Sequence, residues 1–242
     1  MTKGIITLDL DECLGQFRML STLYWILDQY KFKNLLGNSF NKNDLNKIIG
    51  EHVIEHAFRP GLNRFLLAIN DLKHLVGYKV ILFTNHYNPP FTDSLNDVLK
   101  YYLGVDNFFD YIIDSKNKQR QHQYEKHTVD LIKICCNNNT KIPIIFYDDN
   151  PDWIEKDSKN PFLMIRVPKH NIDLNYNHIL PVVNYIKKIS QNNEEIMKFV
   201  SKENINKHNW DEPTEKNESH VDDIDNIYLP ALEIFVRRTF SN

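Results

Sequence analysis

Cysteine is scarce in this chain. Only Cys13, Cys135 and Cys136 occur among 242 residues. An odd number with one adjacent pair is no disulfide framework, so a stapled fold is excluded and a reducing, intracellular compartment (cytoplasmic or nuclear) is expected. Long hydrophobic runs are missing too. No apolar stretch approaches the ~20 residues of a membrane-spanning helix, so no membrane partner is expected. The N-terminus lacks the basic-then-apolar order of a signal peptide, and none is expected. Charge of one sign is also lacking: 29 Lys and Arg face 32 Asp and Glu, for a net charge of −3. No strong field directs the protein to nucleic acid or to a membrane surface.

What is present suffices for a core. Hydrophobic residues make up 42% of the chain, and the length fits one elaborated domain or a domain with a small appendage. Short apolar runs predict strands at Ile5–Leu10, Lys79–Phe83, Tyr111–Ile113, Ile142–Tyr147 and Phe162–Val167. Helical spacing recurs between them. Leu62, Phe65, Leu66, Ile69 and Leu72 follow Pro60-Gly61, and Leu95, Val98, Leu99 and Tyr102 precede Gly104, a candidate C-cap. Val129, Ile132, Ile134 and Cys135 form a third set, stopped by Asn137–Asn139. Strands alternating with helices imply an α/β fold with a mostly parallel sheet. Residues 15–59 exceed what one crossover needs. They are expected to form a helical insertion over the strand ends, with one helix from an Asn43 cap to His56. After about Ser190 the composition turns polar, predicting a helix over 194–202 and then a linker. Tyr228, Leu229, Leu232, Phe235, Val236 and Phe240 predict a terminal amphipathic helix. The expected partition is a main α/β domain at 1–190, a polar helix and linker at 191–225, and a helix at 226–242 that docks back on its own domain.

The chemistry gathers at strand ends. The first strand closes in Asp9-Leu10-Asp11-Glu12. Carboxyl ends of parallel strands are where ligands bind in open α/β sheets, and alternation sends Asp9 and Asp11 the same way. Like charges so close need a cation, and a hard divalent ion with phosphate is the simplest partner. The plainer reading is that these acids cap the next helix. The strand at 142–147 repeats the pattern in Asp148-Asp149-Asn150-Pro151-Asp152. Thr84-Asn85 closes the second strand with two donors suited to a phosphate oxygen. Lys126, at the start of a helix, offers a positive charge. Lys116, Lys118, Arg120 and His122 are read as a solvated basic loop.

Asp9-Leu10-Asp11-Glu12-Cys13-Leu14 resembles the first motif of the haloacid dehalogenase (HAD) superfamily. Thr84-Asn85 resembles its second, Lys126 its third, and Asp148-Asp149 with Asp152 its fourth. Phe58-Arg59-Pro60-Gly61-Leu62 with Phe65-Leu66, and Asp148-Asp149-Asn150-Pro151-Asp152-Trp153, are similar to the Fcp/Scp-like branch, which includes phosphatases of the RNA polymerase II C-terminal domain. Two features depart from that branch: Cys13 stands where Thr or Val is usual, and residues 15–59 are more helical than its β-hairpin. The resemblance implies a Rossmannoid three-layer sandwich with a central parallel sheet, a small helical insertion after the first strand and no large cap. It implies a Mg²⁺-dependent phosphatase working through an aspartyl-phosphate. Asp9 would be nucleophile and metal ligand. Asp11 would be acid and base, reaching the metal through its backbone carbonyl. Asp149 would complete the metal set, with Asp148 open as its alternate and Asp152 as support. Thr84, Asn85 and Lys126 would hold the phosphoryl group. The expected partner is a phosphorylated macromolecule such as a phosphoprotein.

Other readings carry separate expectations. A nucleotide or a polynucleotide end is the alternative substrate within the same superfamily. His52-Val53-Ile54-Glu55-His56 fits a zinc-hydrolase pattern, with His52 and His56 as ligands and Glu55 as base. A non-catalytic HAD-like binding module is the third class, against which the presence of both Asp9 and Asp11 speaks.

Overall fold

The computed structural model describes residues 2–122, 125–136, 141–155, 161–172, 174–191, 193–208, 220 and 222–240. Its strands are β1 (Ile5–Leu8), β2 (Lys79–Phe83), β3 (Tyr111–Ile113), β4 (Lys126–His127), β5 (Ile144–Asp148), β6 (Ile154–Glu155) and β7 (Phe162–Arg166). Five of them make one sheet in the order β3-β2-β1-β5-β7, with every neighbouring pair parallel. The short strands β4 and β6 pair separately. The fold is α/β, a central parallel sheet flanked by helices. Strand side chains alternate between two cores: Ile6 and Leu8 enter the larger, Ile5 the smaller. Burial on both faces is why these strands read as unbroken apolar runs.

Residues 15–59 fold as α1 (Arg18–Asp28), α2 (Tyr30–Leu36), α3 (Lys42–His52) and α4 (Ile54–Ala57). Asn41 rather than Asn43 caps α3, accepting from the Asn43 amide at 2.9 Å. The helix breaks at Val53, short of His56. Leu20, Leu23, Tyr24, Ile26 and Leu27 on α1 are buried and belong to the larger core. Most of the insertion is therefore body rather than lid.

After it come α5 (Leu62–Val76), α6 (Pro89–Thr92), α7 (Leu95–Leu103) and α8 (Thr128–Cys136). Gly61, Gly77 and Gly104 all sit at positive φ around α5 and α7, where a side chain would be strained. The buried faces of α5 and α7 enter the larger core, whereas Leu131, Ile132 and Cys135 of α8 enter the smaller. This change of face follows from topology. The chain winds from β1 through β2 to β3, then returns to β5 on the other side of β1. Right-handed crossovers then place the next helix on the opposite face. The switch point lies between the carboxyl ends of β1 and β5, where such sheets bind ligands.

The rest of the chain forms α9 (Leu180–Ile189), α10 (Glu194–Phe199), α11 (Lys202–His208), a π-helical turn (Ile224–Tyr228) and α12 (Leu229–Phe240). The polar composition concealed α11, whose Ile205 is buried; α9, with buried Val182, Val183 and Ile186, precedes the polar stretch and was not among the expected helices. The remainder of the expected linker, 209–219 and 221, lies outside the described residues, as do Asn137–Asn139. The terminal helix packs on its own domain. Ile224, Tyr228, Leu232 and Phe235 are buried in the larger core, and the Tyr228 ring stacks on Tyr147 with centroids 5.3 Å apart. Among the described residues, no helix is long and apolar enough to cross a membrane.

Candidate active site

β1 ends at Leu8, two residues sooner than its apolar run suggests. The Asp9 amide still donates to Tyr147 of β5 at 3.0 Å. Beyond it the chain turns: Glu12 adopts φ 61°, and Asp11 bridges to Gly15. A Cβ on Gly15 would lie 2.1 Å from the Ala57 carbonyl oxygen, so this close approach admits only glycine.

Asp9, Asp11, Glu12, Thr84, Asn85, His86, Lys126, Asp148, Asp149 and Asn150 line one cleft of about 260 Å³. Seven of the residues singled out in the sequence meet there, at the topological switch. None of the ten comes from residues 15–59, although Ser21 of α1 reaches His86 at the cleft's edge. Asp152 stands outside it: it is exposed and pairs with Arg166.

Lys126 is buried and bonds Asp148 Oδ2 at 2.6 Å and Asp9 Oδ1 at 2.8 Å. It lies in the short strand β4, two residues before α8 begins. Burial lowers its pKa, but the two carboxylates outweigh that and hold it up at about 12. Burial is the main cause raising Asp9, which Lys126 partly offsets, leaving it at about 6. Asp149 is pushed up to about 8 by burial first, then by Asp9 and Asp148. Carboxylate oxygens of Asp9, Asp148 and Asp149 all lie within 4.8 Å of one another. Such a set suits a hard cation, because oxygen donors and excess negative charge are what one requires. Asp148 is already engaged, by Lys126 and by the Asn150 amide at 2.7 Å. Asp149 has no hydrogen-bonding partner among the described residues, which makes it the better placed of the pair for a metal.

Asp11 is held elsewhere. Its Oδ2 lies 2.7 Å from His86 Nδ1, and His86 Nε2 lies 2.9 Å from Ser21 Oγ on α1. Burial raises the Asp11 pKa, but His86, helped by Lys126 and Arg18, brings the net value below the usual carboxylate range. His86 moves the other way, raised by Asp11 despite its burial. His86 escaped the sequence reading, although it stands two residues after Thr84, at the spacing that returns a side chain to the same side. Ser21 ties the insertion to this pair.

Thr84 and Asn85 are braced from behind by Arg120. Its guanidinium donates to the Thr84 carbonyl at 2.9 Å, to Asn85 Oδ1 at 2.5 Å and to the Glu125 carbonyl at 2.8 Å. The Asn85 oxygen is thus taken by Arg120. The solvated-loop reading is corrected at Arg120, which is buried, while Lys116 and Lys118 are exposed as expected.

The His-x-x-Glu-His pattern does not assemble. His52 ends α3 beside Glu51, while His56 lies on α4 and stacks on His178 with centroids 4.6 Å apart. Among the described residues, the one group of three acids, histidines or cysteines with metal-binding spacing is Asp9, Asp148 and Asp149. Cys13 and Cys135 are buried free thiols, and the Cys136 side chain lies outside the described residues. No protein-family model matches the chain, and no curated protein matches it.

Proposed function

We propose that the protein is a Mg²⁺-dependent phosphatase of HAD type, hydrolysing a phosphomonoester through an aspartyl-phosphate. The observation that carries this reading is the meeting of Asp9, Lys126, Asp148 and Asp149 in one cleft with Asp11, Thr84 and Asn85. A metal would be held by the side chains of Asp9 and Asp149 and by the Asp11 carbonyl, with Asp148 alongside. When bound, Mg²⁺ supplies positive charge to the phosphoryl oxygens and relieves the crowding of carboxylates.

The protein's own groups carry the steps. Thr84, Asn85 and Lys126 hold the phosphoryl oxygens. Asp9 attacks phosphorus while the ester P–O bond breaks, and the departing oxygen takes the proton that Asp11 shares with His86, since Asp11 by itself is held ionised. Asp11 then takes a proton from water, whose oxygen attacks the phosphorus of the aspartyl-phosphate. Phosphate leaves and Asp9 is restored. Catalysis of this kind rests on positioning and electrostatics. His86 orients Asp11 for both proton movements.

A cleft with no lining residue from the insertion favours a substrate presented on a macromolecule, a phosphoprotein foremost. Purified protein with Mg²⁺ is expected to hydrolyse an aryl phosphate, and Asp9→Asn is expected to abolish turnover. Equal activity in that variant would remove the mechanism. A panel of phosphopeptides, nucleotides and 3′-phosphorylated oligonucleotides then separates the protein substrate from the nucleic-acid alternative.

A further inference from the structure

The turn that follows Asp11 is held from a distance. The Glu12 carbonyl accepts from Arg59 Nη2 at 3.0 Å and from the His170 amide at 2.8 Å. The Cys13 carbonyl accepts from Arg59 Nε at 3.1 Å and from the Tyr228 hydroxyl at 2.6 Å. Arg59 also donates to the Pro168 carbonyl and, through Nη1, to Asp223 Oδ2 at 2.6 Å. The Tyr228 carbonyl in turn accepts from the Tyr147 hydroxyl at 3.0 Å, on the strand that ends in Asp148. Two consecutive carbonyls therefore receive four donors, none of them from the turn itself.

This arrangement is a poor way to gain stability. Arg59 and Asp223 are almost completely buried, and an apolar pair of the same volume is often as stable as a buried ion pair or more so. What the ion pair supplies is direction, since the planar guanidinium fixes several acceptors at once. Its acceptors sit where the backbone is strained, with non-glycine Glu12 in the left-handed region. That strain lies one residue after Asp11 and three after Asp9.

We propose that Arg59, Asp223 and Tyr228 are positioning residues, which clamp the Glu12–Cys13 turn so that Asp9 and Asp11 keep their places in the cleft. The C-terminal segment is then a working part of the site rather than an appended anchor. The proposal rests on the phosphatase reading for its kinetic consequence but not for its structural one.

Tyr228→Phe and Asp223→Asn test it, with Leu232→Ala as a control that loosens the same segment without touching the clamp. In folded protein with Mg²⁺ and an aryl phosphate, the two clamp variants are expected to lose roughly ten-fold or more in kcat at unchanged KM, the scale at which small misplacements act. Leu232→Ala is expected to lower Tm and leave kcat unchanged. Amide hydrogen exchange over residues 11–15 is expected to quicken in the clamp variants alone. Wild-type kcat or unaltered exchange in both clamp variants overturns the proposal. If the wild type hydrolyses no phosphomonoester, the phosphatase reading falls by itself, and exchange over 11–15 still decides the clamp.

Discussion

Asp149 carries the largest electrostatic burden of any side chain in the cleft. With its carboxyl raised to about 8 against 3.8 for the free group, the folded chain keeps a proton there that the unfolded chain has released. Folded protein therefore binds more protons than unfolded protein across that interval, and its stability falls as pH rises through it. His86, raised above 6.5 by Asp11, acts with the same sign, since its contribution is lost as pH climbs past its folded value. His170 opposes both at lower pH: burial and Arg59 depress it to about 4, so its contribution is lost as pH falls below 6.5. The clean window is thus pH 6.5 to 8. Metal-free protein is expected to show a falling Tm over that range. Mg²⁺ is expected to raise Tm more at pH 8 than at pH 6.5, because the cation competes with protons for the same carboxylates. Asp149→Asn should flatten the metal-free slope. A thermal melt series at both pH values checks this, and a Tm that rises between them without metal would contradict the charge balance described here.

At the scale of elements, α3 and α7 cross with almost no space between them. A Cβ on Gly50 would lie 2.5 Å from the Val98 carbonyl oxygen and 2.7 Å from Tyr101 Cβ. Gly50→Ala must therefore separate two helices that are each tied to the larger core. Overpacking of this kind costs about 1–3 kcal/mol, against a gain of less than about 1 kcal/mol from alanine's better helix propensity. Loss of Tm without loss of the proposed phosphatase activity is the expected outcome, since neither helix lines the cleft. The same region marks how far the sequence could be read. β2 and β3 were legible to the residue because their apolar runs stop at once against polar residues, Thr84-Asn85 and Asp114. The ends of β1 and β5 were less so, since an apolar run does not say where pairing stops. Acids at the ends of β1 and β5 were legible as neighbours because parallel topology brings strand ends together. His86 and Arg120 were not, because their partners lie 75 and 36 residues away and no local period records such a pairing. The insertion was expected to lie over the strand ends because its length was visible and its packing into the larger core was not.

For the molecule as a whole, the C-terminal segment raises the question of what the domain is. Ile224, Tyr228, Leu232 and Phe235 fill the larger core beside Phe65 and Tyr147. Burying a large apolar side chain contributes about 1.5–3 kcal/mol, so the four together contribute about 6–12 kcal/mol. That rivals the net stability of an ordinary domain, about 5–15 kcal/mol. Removal also leaves Arg59 buried without Asp223, and an unpaired buried charge costs about 3–5 kcal/mol more. A chain ending at residue 208 is therefore expected to lack a cooperative thermal transition. Adding a peptide of residues 220–242 in trans is expected to restore it, because the groove that receives the segment is lined by residues of the sheet and α5 rather than by the segment itself. Circular dichroism melts with and without the peptide decide the matter. A truncated chain that melts cooperatively within a few degrees of the full one would show that the segment is an accessory, and that the core closes over Tyr147 without it.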